Sequence, residues 1–400
     1  MPAVLAVLTL IGAATALAAC GAGAQKGVSV QVAPRAQLFD QPFTVTVGGL
    51  HPGKAVTIAL RSTDANSVPW ASSATFRADL RGSLDLAHAD QSLLWPMQPA
   101  SKPGDAYYIW SKRPPRFTVT ARVSGQTVAS ATFTRRLAPP GLTGQTVTPP
   151  QAGFAGELVL PPHRTRRGAV VVIGGSDGGL PAFQAIALAA AGYPALAVAY
   201  FKYPGLPPTL THIPLEYFAR ALTWLSRQPG IDPTRLVMLG VSRGSEAALL
   251  MGVHYPRLVH AVIGMVPSDA AYCSFPGCLG PAWTFGGRPV PYLNRAENPA
   301  ANPAAVIPVE RIRGPVLVAC GEYDETWDSC DYSQAIMARL NAHRDRYLHV
   351  RYAYPNAGHY VGLFVIDQPA SAAADPSAAA DEQARAALWP RLLAFLAKVT

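Results

Sequence analysis

Charge is scarce in this chain and widely dispersed. Acidic and basic residues fill 14% of the 400 positions while half are hydrophobic. That balance excludes a disordered polymer and leaves ample apolar material for a large core, with two or three domains expected from the length. The formal net charge is +9, yet no run of lysine or arginine is interleaved with aromatics. The excess therefore reads as general surface character or attraction to anionic surfaces, and nucleic-acid recognition is excluded. Cysteine is rare, five in all. The intervals between them do not repeat and no histidine sits beside them at ligand spacing, which argues against zinc. Nothing implies another metal or a redox cofactor.

The first stretch lacks charge altogether: from Ala3 to Ala19 every residue is neutral, and no Lys or Arg precedes the run. It ends Leu17-Ala18-Ala19-Cys20-Gly21. Residues 1–23 read as an export signal with a small-residue cleavage zone, too short and poorly flanked for a spanning helix. Leu-Ala-Ala-Cys also resembles the bacterial lipobox. That likeness implies a lipid on Cys20, attachment to a membrane through it, and a place in the bacterial cell envelope or outside the cell.

From residue 27 to 136 the chain reads as all-β. Short alternating segments such as Phe43-Thr44-Val45-Thr46-Val47, Ala74 to Asp79, Phe117 to Val123 and Val128 to Thr134 are separated by clusters such as His51-Pro52-Gly53. The pattern predicts an immunoglobulin-like sandwich, a packing module without catalytic spacing. Residues 137–150, rich in proline and glycine, read as a linker. Residues 151–400 alternate apolar runs (Ala169 to Ile173, Ala195 to Ala199, Ala261 to Val266, Pro315 to Cys320, Leu348 to Tyr354) with helical stretches. Strand and helix in alternation predict an α/β unit, a doubly wound, mostly parallel sheet covered on both faces. Within it, Ser268 to Pro303 reads as a cap-like insertion, and Gln368 to Asp381 as a flexible insertion.

One motif carries chemistry. Gly240-Val241-Ser242-Arg243-Gly244 follows an apolar run and opens a helix-forming one. In that context G-x-S-x-G describes a sharp strand-to-helix turn that lifts Ser242 above the sheet as a nucleophile. Side chains at Gly240 or Gly244 would collide where the two backbones approach. A serine hydroxyl needs a base and a group to orient that base. In α/β-hydrolases these follow in the order Ser, acid, His, in loops after strands. Asp324 lies just beyond the strand ending at Cys320, and His359 follows the strand ending at Tyr354. Glu322, Asp328 and Asp331 compete for the acid role, with position directly after the strand favouring Asp324.

The loop Gly174-Gly175-Ser176-Asp177-Gly178-Gly179 has no lysine and no G-x-x-x-x-G-K pattern, so a phosphate cradle is disfavoured. It reads instead as half of an oxyanion hole, an N–H near Ser176 or Asp177 joining that of Arg243. Cys273 and Cys278 are close in a loop-like stretch, and Cys320 and Cys330 flank the Asp324 loop. Each pair can form a disulfide in an oxidising compartment, with the second bracing the acid.

Several blocks are together similar to one family: Ala199-Tyr200-Phe201-Lys202-Tyr203, Pro214 to Phe218, Gly240 to Glu246, Ile307 to Arg311, Gly321 to Trp327 and Gly358-His359-Tyr360, with Gly82 to Leu86 and Leu94 to Met97 earlier. The chain resembles the acyl-CoA thioesterase and bile acid-CoA:amino acid N-acyltransferase family, an N-terminal β-sandwich joined to an α/β-hydrolase. The resemblance implies a triad of Ser242, Asp324 and His359 and an acyl ester or thioester as substrate, acyl-CoA by likeness. The amino-acid-conjugating member uses cysteine as nucleophile and the thioesterases serine, so hydrolysis through an acyl-enzyme is expected here. Two other readings stay open: transfer of the acyl group to an amino acid, and a noncatalytic surface lipoprotein of hydrolase fold.

Overall fold

The computed structural model describes residues 27–100, 107–110, 113–162, 167–295, 297–343, 346–365, 369 and 377–400. The expected export signal and Cys20 lie outside them. Among the described residues no helix is long and apolar enough to cross a membrane.

The N-terminal part consists of two sheets. One is six-stranded, with Gln126–Arg136, Arg116–Val123, Ala55–Thr63 and Pro69–Arg77 adjacent in that order; the other joins Ser29–Ala33, Thr44–Gly48 and Leu84–Leu86. Period-two alternation explains why they pack. Val45 and Val47 from one sheet and Val56, Ile58, Leu60, Phe117 and Val119 from the other are buried in one cluster, while the residues between them, apart from the buried Ala59, face outward or lie half-buried. The strand expected from Ala74 begins earlier, at Pro69, because Trp70 and Ala71 continue the antiparallel register to Ser62 and Arg61.

The C-terminal part is built on eight strands: β1 (Thr143–Val147), β2 (Ala155–Leu160), β3 (Arg167–Ile173), β4 (Ala195–Ala199), β5 (Ile231–Val241), β6 (Ala261–Met265), β7 (Val316–Gly321) and β8 (His349–Tyr354). Their order in the sheet is β1-β2-β4-β3-β5-β6-β7-β8. Every pair from β4 onward is parallel, and only β2 runs against its neighbours. Helices α1 (Ala182–Ala190) and α5 (Ala378–Val399) cover one face, and α2 (Leu215–Leu225), α3 (Arg243–His254) and α4 (Ser329–Ala342) the other. Strand β3 shows why the runs are continuously apolar: Val170 and Val172 join one core, and Ala169, Val171 and Ile173 the other. This is the α/β-hydrolase arrangement, in which parallel strands deliver their carboxyl ends to one edge of the sheet.

Two expectations are corrected. The stretch 137–150 is not wholly linker, since Thr143–Val147 is an edge strand paired with β2; four consecutive exposed residues, Thr143 to Thr146, hide the strand. The stretch from Gln368 to Asp381 is not wholly a flexible insertion either. Its last residues begin α5, and Asp381 is fully buried, accepting the Gly358 N–H at 2.6 Å.

Candidate active site

Strand β5 runs to Val241, and α3 starts at Arg243, so Ser242 is the entire turn. Its backbone has φ 54° and ψ −123°, a conformation that a non-glycine residue holds only when its surroundings impose it. Those surroundings are visible. The Ser242 N–H donates to the Met265 carbonyl at 2.9 Å, and its carbonyl accepts from Ser245 N at 2.8 Å and Ser245 Oγ at 2.6 Å. A methyl at Gly240 would sit 2.0 Å from the Gly244 oxygen, and one at Gly244 would sit 2.3 Å from the Gly174 oxygen. Both glycines are therefore fixed by close backbone approach.

Asp324 stands after β7 with its carboxyl 2% exposed. It accepts from Thr326 N at 2.9 Å, Ser329 Oγ at 2.6 Å and His359 Nδ1 at 2.9 Å. Glu322, Asp328 and Asp331 are exposed at the surface, and the carboxylate paired with His359 is that of Asp324. With Nδ1 engaged, the free ring nitrogen of His359 is Nε2. His359 and Ser242 line one cavity of about 360 Å³, and no hydrogen bond joins them.

The loop after β3 forms another wall of this cavity, from Gly174 to Gly178. Gly175 backs onto the Ser242 turn so closely that a methyl there would sit 2.9 Å from Ser242 Cβ. The buried Tyr200 hydroxyl donates to the Gly174 carbonyl at 2.8 Å and pins the loop. Among the described residues, no backbone acceptor takes the amides of Ser176 and Asp177. Ser176 and Asp177 both border the cavity, with Asp177 the more exposed. Arg243 is the first residue of α3, so its N–H has no acceptor within the helix.

A second cavity, of about 460 Å³, opens on the other side of Ser242 between Tyr272 to Phe275 and Trp327, Asp328 and Tyr332. The segment expected as a cap thus borders the site. Cys273 is bonded to Cys278, and Cys320 to Cys330 across the Asp324 loop. The described residues hold no cluster of His, Cys, Asp or Glu fit to bind a metal.

Two family models match. Residues 40–149 match the acyl-CoA thioester hydrolase/BAAT N-terminal region, and residues 213–276 with 290–369 match the BAAT/acyl-CoA thioester hydrolase C terminal. The chain belongs to the acyl-CoA thioester hydrolase/BAAT family. Acyl-coenzyme A thioesterase 6 of Mus musculus is 29% identical, covering 84% of this chain and 85% of that protein. Acyl-coenzyme A thioesterase 1 of Homo sapiens is 28% identical over 81% and 83%. Among solved structures, an alpha/beta hydrolase enzyme from a Medee basin deep-sea metagenome library aligns with 65% of this chain and 98% of its own, at 14% identity and TM-score 0.46.

In this member of the family the elbow helix carries a charge pair that the motif alone did not reveal. Glu246 is fully buried and accepts from Trp283 Nε1 at 2.7 Å and Tyr272 N at 3.2 Å. Arg243 Nε lies 2.7 Å from its carboxylate, a charge contact without hydrogen-bond alignment, and Arg243 Nη2 donates to the Tyr272 and Cys273 carbonyls. Burial pushes the Glu246 carboxyl above its ordinary value, with Arg243 opposing. The pair therefore ties α3 to the disulfide-closed turn bordering the second cavity. The available signal was a lone acidic residue at the head of an otherwise apolar helix.

Proposed function

We propose that this protein hydrolyses acyl thioesters through a covalent acyl-enzyme, with Ser242 as nucleophile, His359 as base and then acid, and Asp324 orienting the imidazole. The observation that carries the reading is Ser242 at an imposed positive φ on the wall of the cavity that also receives His359, whose other nitrogen is held by Asp324. Membership of a thioester hydrolase family and similarity to acyl-coenzyme A thioesterases support the substrate class.

The chemistry follows from the atoms. His359 takes the Ser242 proton as Oγ attacks the carbonyl carbon, and the N–H groups of Arg243 and of the Ser176–Asp177 loop hold the oxyanion. The C–S bond breaks as the carbonyl re-forms, and His359 returns the proton to the leaving sulfur. Water then attacks the Ser242 ester, with His359 again as base. Serine as nucleophile favours hydrolysis over transfer to an amino acid.

The export signal over residues 1–23, the lipid on Cys20 and the envelope location belong to the same proposal, motivated by the uncharged run and Leu-Ala-Ala-Cys. So does the immunoglobulin-like character of the N-terminal sheets. Mass spectrometry of the membrane fraction from expressing bacteria tests the lipid, and an unmodified N-terminus in the soluble fraction would remove it.

The deciding experiment is release of free thiol from acyl-CoA and from acyl esters, with Ser242→Ala as the blank and glycine or taurine as added acceptor. Thiol release abolished in Ser242→Ala, with free acid as product, is expected, and Asp324→Asn should lower kcat by orders of magnitude. Release persisting in Ser242→Ala would overturn the nucleophile. Amide product would assign the chain to transfer.

A further inference from the structure

Ser242 is flanked by two cavities, and the catalytic imidazole lines only one of them. The first cavity holds His359, Tyr360 and Leu363 on one wall and Gly174 to Gly178, Leu180 and Gln184 on the other. The second is walled by Tyr272, Ser274, Phe275, Trp327 and Tyr332. Ser242, Ser176 and Thr326 border both, so a carbonyl at Ser242 has one arm available to each side.

We infer that the two cavities divide the substrate, the leaving thiol arm lying in the His359 cavity between the 174–178 loop and Gln184, and the acyl group entering the Tyr272–Trp327–Tyr332 cavity. The assignment rests on the proposed roles of Ser242 and His359. When the tetrahedral intermediate collapses, the C–S bond breaks, its electron pair stays on sulfur, and the imidazolium proton goes to that sulfur. A proton donor must lie within hydrogen-bond reach of the atom it serves, so the sulfur belongs on the His359 side. The acyl carbon stays bonded to Ser242 Oγ and must be housed while water replaces the thiol in front of His359. Only the second cavity leaves that approach clear.

The walls agree with the division. Besides His359 the first carries one amide side chain, Gln184, and one carboxylate, Asp177, among small and aliphatic residues, with Tyr360 backed by Tyr107 at 4.8 Å between ring centroids. That suits a flexible thiol arm that must come and go. The second has fixed aromatics over much of its wall, with Arg243, Arg295 and Asp328 also on its lining. Trp327 Nε1 donates to the Val266 carbonyl at 3.1 Å, and the Tyr272 and Tyr332 hydroxyls are bonded to each other at 2.9 Å. Arg243, through the Tyr272 and Cys273 carbonyls, ties the other wall to the nucleophile helix. Fixed walls discriminate acyl size, and Tyr332, on α4, is one of those walls.

A crossed substrate test decides the matter. Butanoyl and decanoyl thioesters are each offered on CoA and on N-acetylcysteamine, to the wild type, Tyr332→Ala and Gln184→Trp. Tyr332→Ala should raise the decanoyl-to-butanoyl ratio of kcat/KM by about tenfold and leave the CoA-to-N-acetylcysteamine ratio within about twofold. Gln184→Trp should do the reverse, lowering the CoA-to-N-acetylcysteamine ratio at unchanged acyl preference. The opposite pattern, or both variants moving both ratios equally, overturns the division while Ser242-dependent thiol release still stands. Absence of Ser242-dependent release from every substrate would instead remove the hydrolase reading, and the division with it. Melting temperatures within a few degrees of wild type keep the comparison free of unfolding.

Discussion

The ion pair beneath Ser242 is the most exacting test of this architecture. In Glu246→Gln the amide oxygen still accepts from Trp283 Nε1 and Tyr272 N, but the Arg243 charge loses its counter-ion in a site where Glu246 is 0% and Arg243 7% exposed. Breaking one side of a buried pair costs about 3–5 kcal/mol, because the surviving charge cannot rejoin water. At about 2–4 °C per kcal/mol for a unit of this size, the melting temperature should fall by roughly 6–20 °C. Arg243→Met leaves the opposite charge stranded and should cost a similar amount. The double variant strands neither, so its loss should be smaller than the sum of the singles by at least about 1 kcal/mol. Urea unfolding followed by tryptophan fluorescence at pH 7 measures all three. A Glu246→Gln loss below about 1 kcal/mol would refute the reasoning. It would mean that burial, which pushes this carboxyl upward, has already neutralised it in the native fold. Strict additivity would refute it independently.

Three further outcomes follow from single contacts. Gly175→Ala puts a methyl 2.9 Å from Ser242 Cβ and 3.4 Å from its Oγ, so kcat should fall about a hundredfold, the scale of an ångström-sized misplacement, while the protein stays folded; unchanged turnover would show the loop free to retreat. Cys320→Ser with Cys330→Ser opens a closed loop of sequence separation 10 that contains Asp324, and should cost about 2–4 kcal/mol together with part of the activity, read by urea midpoint and kcat. Burial, and then Arg235, holds the His260 imidazole below its ordinary value of 6.5, with Asp232 opposing. A depressed imidazole lets the unfolded chain bind its proton first, so stability is lost as pH falls through 6.5. The urea midpoint should be lower at pH 5 than at pH 7, and the difference should shrink in His260→Gln.

What could be read from the chain in advance was whatever leaves a local signature. The parallel sheet is legible because a strand buried on both faces, such as Ala169 to Ile173, must be apolar at every position. The strand-to-helix turn at Ser242 is legible because two glycines are demanded by approaches of 2.0 and 2.3 Å. Edge strand β1 is not, since Thr143, Gly144, Gln145 and Thr146 face solvent and resemble a linker. The pairing of Arg243 with Glu246 is three residues apart and could have been suspected, but its anchoring to Tyr272, Cys273 and Trp283 is a tertiary fact.

The segment before α5 shows the limit most clearly. Ala, Ser and Asp in that proportion read as an insertion without a role, yet Asp381 is buried and its carboxylate accepts the Gly358 N–H, 23 residues earlier, at 2.6 Å. Ser377 Oγ donates to the same carboxylate at 3.1 Å, and a methyl on Gly358 would meet that oxygen at 2.3 Å. Gly358 is the residue before His359, so the C-terminal helix fixes the backbone from which the imidazole projects. A carboxylate that accepts from a backbone amide far away in sequence leaves no pairing pattern in the chain for that contact. Its place becomes visible only once the fold has brought β8 and α5 together, which is why the Asp324 and His359 positions could be picked out by their loops and Asp381 could not.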